Sequence, residues 1–364
     1  MKIMLVGNMG YVGPAVVRQL YSSPEGWEIC GFDTGYFAHC LTARGLPETL
    51  LSNQHFGDVR TFPAALLAGV DAVVYLAAIS NDPMGARFEE VTMAVNQDAA
   101  LRLARLCVEA GVSRFVFASS CSLYGFAEGD ARREEDALNP LTAYARSKAG
   151  AEDGLRQIAE DTGLSVTALR FATACGYSSR TRLDLVLNDL VASALTRGRI
   201  DVLSDGSPWR PLIHVRDMAR AIEWAVGRAA QGDFLVVNVG ADQWNHQVIE
   251  LAEAVSGALS GTAISVNRDA PPDRRSYRVD FSRYVELAPN HQPQERLEET
   301  VRELAEELDR WLAHIPDYRT SSLIRFNVLE DWLSRDALTP DLFWRDRRSA
   351  GPGRTAVSPL PIAV

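Results

Sequence analysis

Residues Ile3–Val6 form a short apolar run that passes directly into Gly7-Asn8-Met9-Gly10-Tyr11-Val12-Gly13. A strand that meets a G-x-x-G-x-x-G turn and then a helical pattern has few folds open to it. One glycine makes the tight turn, a second lets the backbone approach a pyrophosphate, and a third lets the helix pack on the strand. The N-terminus of that helix presents unpaired N–H groups to the anion. Asp33 closes the next apolar run, Glu28–Asp33, at the spacing such turns require. A carboxylate there accepts hydrogen bonds from the adenosine ribose hydroxyls and repels a 2′-phosphate, which favours NAD over NADP.

The rhythm continues to residue 171. Apolar runs at Ala72–Ala77, Phe115–Ser120 and Val166–Phe171 alternate with helical patterns, of which Glu89–Ala110, closed by Gly111, is the clearest. Runs with so little polar alternation are strands buried on both faces. The pattern predicts an α/β fold, a Rossmann-type doubly wound parallel sheet with a smaller C-terminal α/β substrate domain. Beyond residue 171 helices are expected at Leu183–Thr196, Asp217–Val226, Asn245–Leu259, Gln294–Leu312 and Ser321–Leu333. The expected domains are 1–171 for NAD, with segments near 212–215 and 235–239 returning to it, and 172–338 for substrate. Residues 339–364, rich in Pro, Gly, Ser and Arg, read as a mobile tail.

The 364 residues carry a net charge of −10. That balance argues against nucleic acid or a membrane surface as partner. No run of apolar residues is long enough to span a bilayer, and the first residues are too short for a secretory leader. The five cysteines lack C-x-x-C spacing and are odd in number. A reduced, cytoplasmic protein with no metal site is expected.

Tyr144-Ala145-Arg146-Ser147-Lys148 carries the chemistry. Residues four apart on a helix share a face. A lysine there stabilises a tyrosinate, and moving a tyrosine from about 10 to about 7 takes roughly 4 kcal/mol of differential stabilisation. Such a tyrosine accepts a hydroxyl proton while hydride leaves for a nicotinamide. Upstream, Phe115–Ser120 ends in hydroxyls, at the edge where doubly wound sheets bind ligands.

With these pieces together the chain resembles the extended short-chain dehydrogenases/reductases of the nucleotide-sugar epimerase/dehydratase family, among them the UDP-glucose 4-epimerases. The matching segments are GNMGYVG (7–13), Asp33, Asp58, LAAIS (76–80), Asn96, SSCSLYG (119–125), YARSK (144–148), LRFATACG (169–176), RPLIHVRD (210–217) and VNVG (237–240). The resemblance implies Ser120, Tyr144 and Lys148 as catalytic residues. It implies NAD held by Gly7, Gly10, Tyr11, Val12, Gly13, Asp33, Asp58, Val59, Leu76, Ala77, Ala78, Asn96 and Lys148. Asp58 would reach the adenine amino group, and Lys148 the nicotinamide ribose. A nucleotide-diphosphate sugar would meet Ser80, Ser120, Cys121, Ser122, Tyr144, Thr173, Arg182, Asn188 and Arg210. Arg274 and Arg275, in a Pro- and Arg-rich loop, are further phosphate candidates. A homodimer through Glu89–Gly111 and Leu141–Thr162 is expected by fold analogy.

Departures from the family narrow the reaction. Dehydratases place an Asp–Glu pair where this chain has Cys121 and Ser122, and decarboxylating relatives a Glu at Ser122. What remains is oxidation at C4, a 4-keto intermediate and return of the hydride, which is 4-epimerisation. The alternatives are an NAD(P)H-dependent keto-sugar reductase, another 4-keto-intermediate enzyme, and a non-catalytic dinucleotide-binding regulator. The retained Tyr144 and Lys148 disfavour the regulator.

Overall fold

The computed structural model describes residues 1–127, 129–270, 276–315 and 317–345. The strands are β1 (Lys2–Val6), β2 (Glu28–Asp33), β3 (Asn53–Phe56), β4 (Ala72–Tyr75), β5 (Arg114–Ser120), β6 (Ser165–Phe171), β7 (Thr173–Cys175), β8 (Arg199–Val202), β9 (Trp209–His214), β10 (Phe234–Val239), β11 (Asn245–Gln247) and β12 (Ala263–Val266). The helices are α1 (Gly13–Tyr21), α2 (Asp82–Arg87), α3 (Glu89–Met93), α4 (Ala99–Ala110), α5 (Ala143–Thr162), α6 (Val186–Arg197), α7 (Val215–Gly227), α8 (Val248–Ala258), α9 (Ser282–Leu287), α10 (Leu297–Leu312) and α11 (Arg325–Ser334).

Seven strands form a parallel sheet in the order β10-β6-β5-β4-β1-β2-β3. Its strands are apolar throughout because both faces are covered. Ile3 and Leu5 pack under α1 and α7. Met4 and Val6 pack under α4 and α5. Each such fully buried aliphatic side chain contributes about 1.5–3 kcal/mol. The strand order reverses around β1, so the ends of β1 and β4 open a crevice, the place where doubly wound sheets take ligands.

A second unit stands over that crevice. β11, β9 and β7 form one small sheet, and β12 pairs with β8. They pack with α6, α8 and α10 around Leu187, Val191, Leu251 and Leu304.

The segment near 235–239 joins the large sheet, as β10 beside β6. Elsewhere the structure departs from the sequence expectations. The segment near 212–215 instead belongs to β9 in the small sheet, paired with β7 and β11. The single helix expected at Glu89–Ala110 is interrupted by a π-helical turn at Ala94–Asp98. Residues expected in the tail from Thr339 are folded as far as Arg345: Leu338 bridges Trp344, and Leu342 is fully buried. They pack because Leu342 and Leu338 bury against Tyr36, Ile79 and Met84. Residues 346–364, together with Arg274 and Arg275, lie outside the described residues.

Candidate active site

The crevice is a cavity of about 870 Å³ lined from both units. Its floor is the glycine turn, and the three glycines have distinct duties. Gly7 has φ +91°, and a Cβ there would lie 2.4 Å from the Ala77 nitrogen. A Cβ on Gly13 would lie 2.0 Å from the Asn8 carbonyl oxygen. These two residues let backbone meet backbone. Gly10 lines the cavity, and a Cβ there meets nothing closer than the Gly7 carbonyl at 3.5 Å. Its missing side chain leaves room on the ligand side, at the start of α1.

Asp33 lies at the end of β2, on the cavity wall. Its carboxylate accepts from Met9 N at 2.9 Å and Gly35 N at 2.7 Å. Burial pushes its pKa up, and the two N–H donors hold it down. Each oxygen keeps lone pairs for a ribose hydroxyl. Val12, Val59, Leu76, Ala77 and Ala78 also line the cavity. Asp58 lines it too, but Arg60 holds both carboxylate oxygens, the closer contact at 2.6 Å. The open turn, the half-buried acid and the small apolar wall fit an adenine dinucleotide.

Ser120 stands at the end of β5 and Tyr144 in the first turn of α5, and both line the cavity. Thr142 caps α5 by accepting from Ala145 N at 3.2 Å. Lys148 lies one turn on, its Nζ donating to the Ala118 carbonyl at 2.7 Å and standing 5.9 Å from the Tyr144 ring centroid. Burial pushes Tyr144 up, while the Ser120 hydroxyl and Arg182 work against it. Burial pushes Lys148 down to about 7, and the Glu152 carboxylate one further turn along α5 opposes the fall.

Three expected ligand-binding residues do not line the cavity. Asn96, on the π-helical turn, accepts from Ile79 N and donates to the Ile79 carbonyl and the Ser147 hydroxyl. It fixes the wall and the catalytic helix from behind. Cys121 is fully buried and its Sγ donates to the Arg170 carbonyl. Asn188 accepts from Gly176 N and donates to the Tyr11 hydroxyl and the Arg182 carbonyl. In each case tertiary packing turns the polar group inward.

The other candidates do meet the cavity. Tyr11, Ser80, Ser122, Thr173, Arg182 and Arg210 line it. Arg182 pairs with Asp184 at 2.9 Å and donates to the Ser80 hydroxyl at 2.9 Å. The Ser122 hydroxyl is buried with no partner among the described residues. Sequence reasoning missed Asp82, Tyr277 and Arg325, which also line the cavity. Arg325 is 1% exposed, and its Nε has no partner among the described residues. None of the three belongs to a local motif, so no signal in the chain marks them. Among the described residues no group of acidic, His and Cys side chains is arranged to hold a metal, and no helix is long and apolar enough to cross a membrane.

A dinucleotide cradle beside a Ser–Tyr–Lys set defines an oxidoreductase-type site on a doubly wound sheet. Residues 3–240 match the NAD dependent epimerase/dehydratase family, and the chain belongs to that family. Its cofactor is NAD. An uncharacterized UDP-glucose epimerase, YtcB, of Bacillus subtilis (strain 168) is 28% identical over 269 residues, covering 71% of this chain and 83% of the relative. A dTDP-glucose 4,6-dehydratase of Streptomyces griseus is 27% identical over 290 residues, covering 77% and 86%. Among solved structures, MoeE5 in complex with UDP-glucuronic acid and NAD is similar at a TM-score of 0.73 and 27% identity, covering 85% of this chain and 100% of that one.

Proposed function

We propose that this chain is a nucleotide-sugar 4-epimerase that works through a transient 4-keto sugar. One observation carries the choice. Ser120, Tyr144 and Lys148 line the cavity together, while the neighbouring positions hold a buried thiol, Cys121, and a hydroxyl, Ser122. Neither supplies the acid–base pair that water elimination needs.

In this reading Ser120 and Tyr144 bind the C4 hydroxyl of a nucleotide-diphosphate sugar, and Tyr144 takes its proton. NAD would supply the two-electron acceptor for the C4 hydride. Lys148 would hold the nicotinamide ribose and, when protonated, favour the Tyr144 anion. Arg182 and Arg210 are the cations that meet the anionic substrate. Rotation of the keto sugar before the hydride returns presents the other face. Tyr144 then restores the proton, and the configuration at C4 is inverted. The protein is proposed to act as a homodimer, which light scattering tests directly.

The test is incubation of the NAD-loaded protein with UDP-, dTDP- and GDP-hexoses, followed by NMR of the sugar. An equilibrium mixture of C4 epimers, with no net change in absorbance at the NADH wavelength, is expected. In a parallel incubation with NAD(P)H and a keto-sugar nucleotide, stoichiometric consumption of the reduced cofactor would identify a reductase. A second reading, water elimination, rests on Asp82, a cavity carboxylate whose charge raises the pKa of both Tyr144 and Tyr277. A keto-deoxy product that disappears in Asp82→Asn would favour it over epimerisation.

A further inference from the structure

The loop that follows Asp33, residues 34–52, carries Thr34, Tyr36 and Phe37 onto the cavity wall. Apart from one short 3-10 turn at Pro47–Leu50 it has no regular structure of its own. A loop of that length must be held by something else. Three indoles from the far end of the chain hold it. Trp344 Nε1 donates to the Thr34 carbonyl at 2.7 Å, Trp332 Nε1 to the Tyr36 carbonyl at 3.1 Å, and Trp311 Nε1 to the Thr42 carbonyl at 2.8 Å. An indole is only a donor and a backbone carbonyl only an acceptor, so each contact is a matched pair.

The rings reinforce the hydrogen bonds. Trp344 lies 5.6 Å from Tyr36 and 5.3 Å from Trp332 between ring centroids. The Tyr36 hydroxyl donates to the Leu342 carbonyl. Arg60, which grips Asp58, also lies 3.5 Å from the Phe343 ring centroid and donates to the Asp341 carbonyl at 2.7 Å. Helix α11, which bears Trp332, is docked by Arg325. Its guanidinium donates to the carbonyls of Arg180, at 2.6 Å, and Thr181, at 3.2 Å, and lies over the Phe37 ring. The contacts to Thr34, Tyr36, Phe37 and Arg60 lie on or beside the wall that holds Asp33 and Asp58.

We propose that the C-terminal segment Arg325–Arg345, with Trp311, is a clasp that keeps NAD resident by holding the loop after β2 closed beside the dinucleotide's adenosine end. A ligand behind a closed loop leaves only as often as the loop opens. Tying that loop to α10, to α11 and to the segment after it makes its opening costly and the cofactor slow to depart. The purpose of the clasp rests on the epimerase reading, in which the same cofactor must return its hydride. The geometry does not depend on it.

The test uses no sugar. NADH fluorescence follows release of bound NADH when excess NAD displaces it, in wild type and in the double variant Trp332→Phe/Trp344→Phe. This variant keeps aromatic rings and loses two N–H donors. Release at least about tenfold faster, equivalent to about 1.4 kcal/mol, is expected. The melting temperature of the NAD-free protein should stay close to wild type, which a purely structural role would not allow. An unchanged release rate in the folded variant overturns the clasp. Should the double variant fail to fold, Trp344→Phe alone, at a half-exposed site, takes its place. Hydrogen exchange on the unaltered protein gives a second reading: amides of 34–42 and 338–345 should gain protection together when NAD binds. Independent behaviour of the two segments overturns the proposal. Absence of epimerisation beside slow NADH release would remove the proposed reaction and leave the clasp standing.

Discussion

Lys148 donates to the Ala118 carbonyl at 2.7 Å and so ties α5 to β5 behind the reactive hydroxyls. That single contact leaves its ammonium short of partners in a dry setting, and burial lowers its pKa to about 7. Between pH 7 and the ordinary lysine range, the unfolded chain holds a proton that the folded one has released. Stability therefore rises with pH across that window. Below it Lys148 is protonated in both states and the stabilising increment is absent. From pH 6 to pH 9, the unfolding free energy of wild type should gain roughly 1–3 kcal/mol relative to Lys148→Met. Urea titrations of the two NAD-free proteins measure it, and parallel pH profiles would refute it.

Removing the proton acceptor should stop the chemistry without emptying the cofactor site. Tyr144→Phe is expected to lower kcat by about 10²–10⁴-fold, the usual share of positioned acid–base catalysis. Ser120→Ala, which deletes a cavity hydroxyl that works to lower the Tyr144 pKa, should also reduce kcat. NAD content, read after heat release, should remain near that of wild type in both.

The glycines of the turn should separate folding from binding. In Gly7→Ala the new Cβ meets the Ala77 backbone at 2.4 Å in a left-handed conformation, so the NAD-free protein should melt several degrees lower or fail to fold. In Gly10→Ala the nearest neighbour of the new Cβ is the Gly7 carbonyl oxygen at 3.5 Å, so the fold should survive. The methyl group would instead crowd the dinucleotide. Calorimetric titration with NAD should show at least about a tenfold loss, about 1.4 kcal/mol.

Behind the catalytic helix, Glu152 and Arg170 form an ion pair at 2.7 Å with side chains only 2% and 4% exposed. Deleting one partner strands the other in a dry interior. Glu152→Ala should cost about 3–5 kcal/mol of stability by chemical denaturation. Glu152→Gln should lower the Lys148 pKa further, because the carboxylate now raises it. Lysine-selective NMR detects that change.

Much of this was written locally. The strands β1, β2, β5 and β6 are legible because both-face burial demands continuous apolar runs such as Ile3–Val6 and Phe115–Phe117. The glycine turn, Asp33 and the Tyr144–Lys148 spacing are legible because each depends on neighbours within a few residues. β3 was missed because Asn53–Phe56 is a polar edge strand with no apolar run. The fate of Asn96, Cys121 and Asn188 was missed for a different reason. A polar side chain near a site satisfies whichever partner packing supplies, and here those partners are Ile79, Arg170, Gly176 and Tyr11.

The sequence by itself determined a parallel sheet with a dinucleotide turn and a tyrosine–lysine pair on one helical face, since turn geometry, strand burial and helical period are short-range constraints. Only the tertiary structure decided what closes the cavity. Thr34, Tyr36 and Thr42 are held by Trp344, Trp332 and Trp311, residues 269 to 310 positions away along the chain. No periodicity encodes a contact at such a separation. It exists because the end of the chain folds back over the loop after β2 and sets its indole N–H groups against that loop's carbonyls.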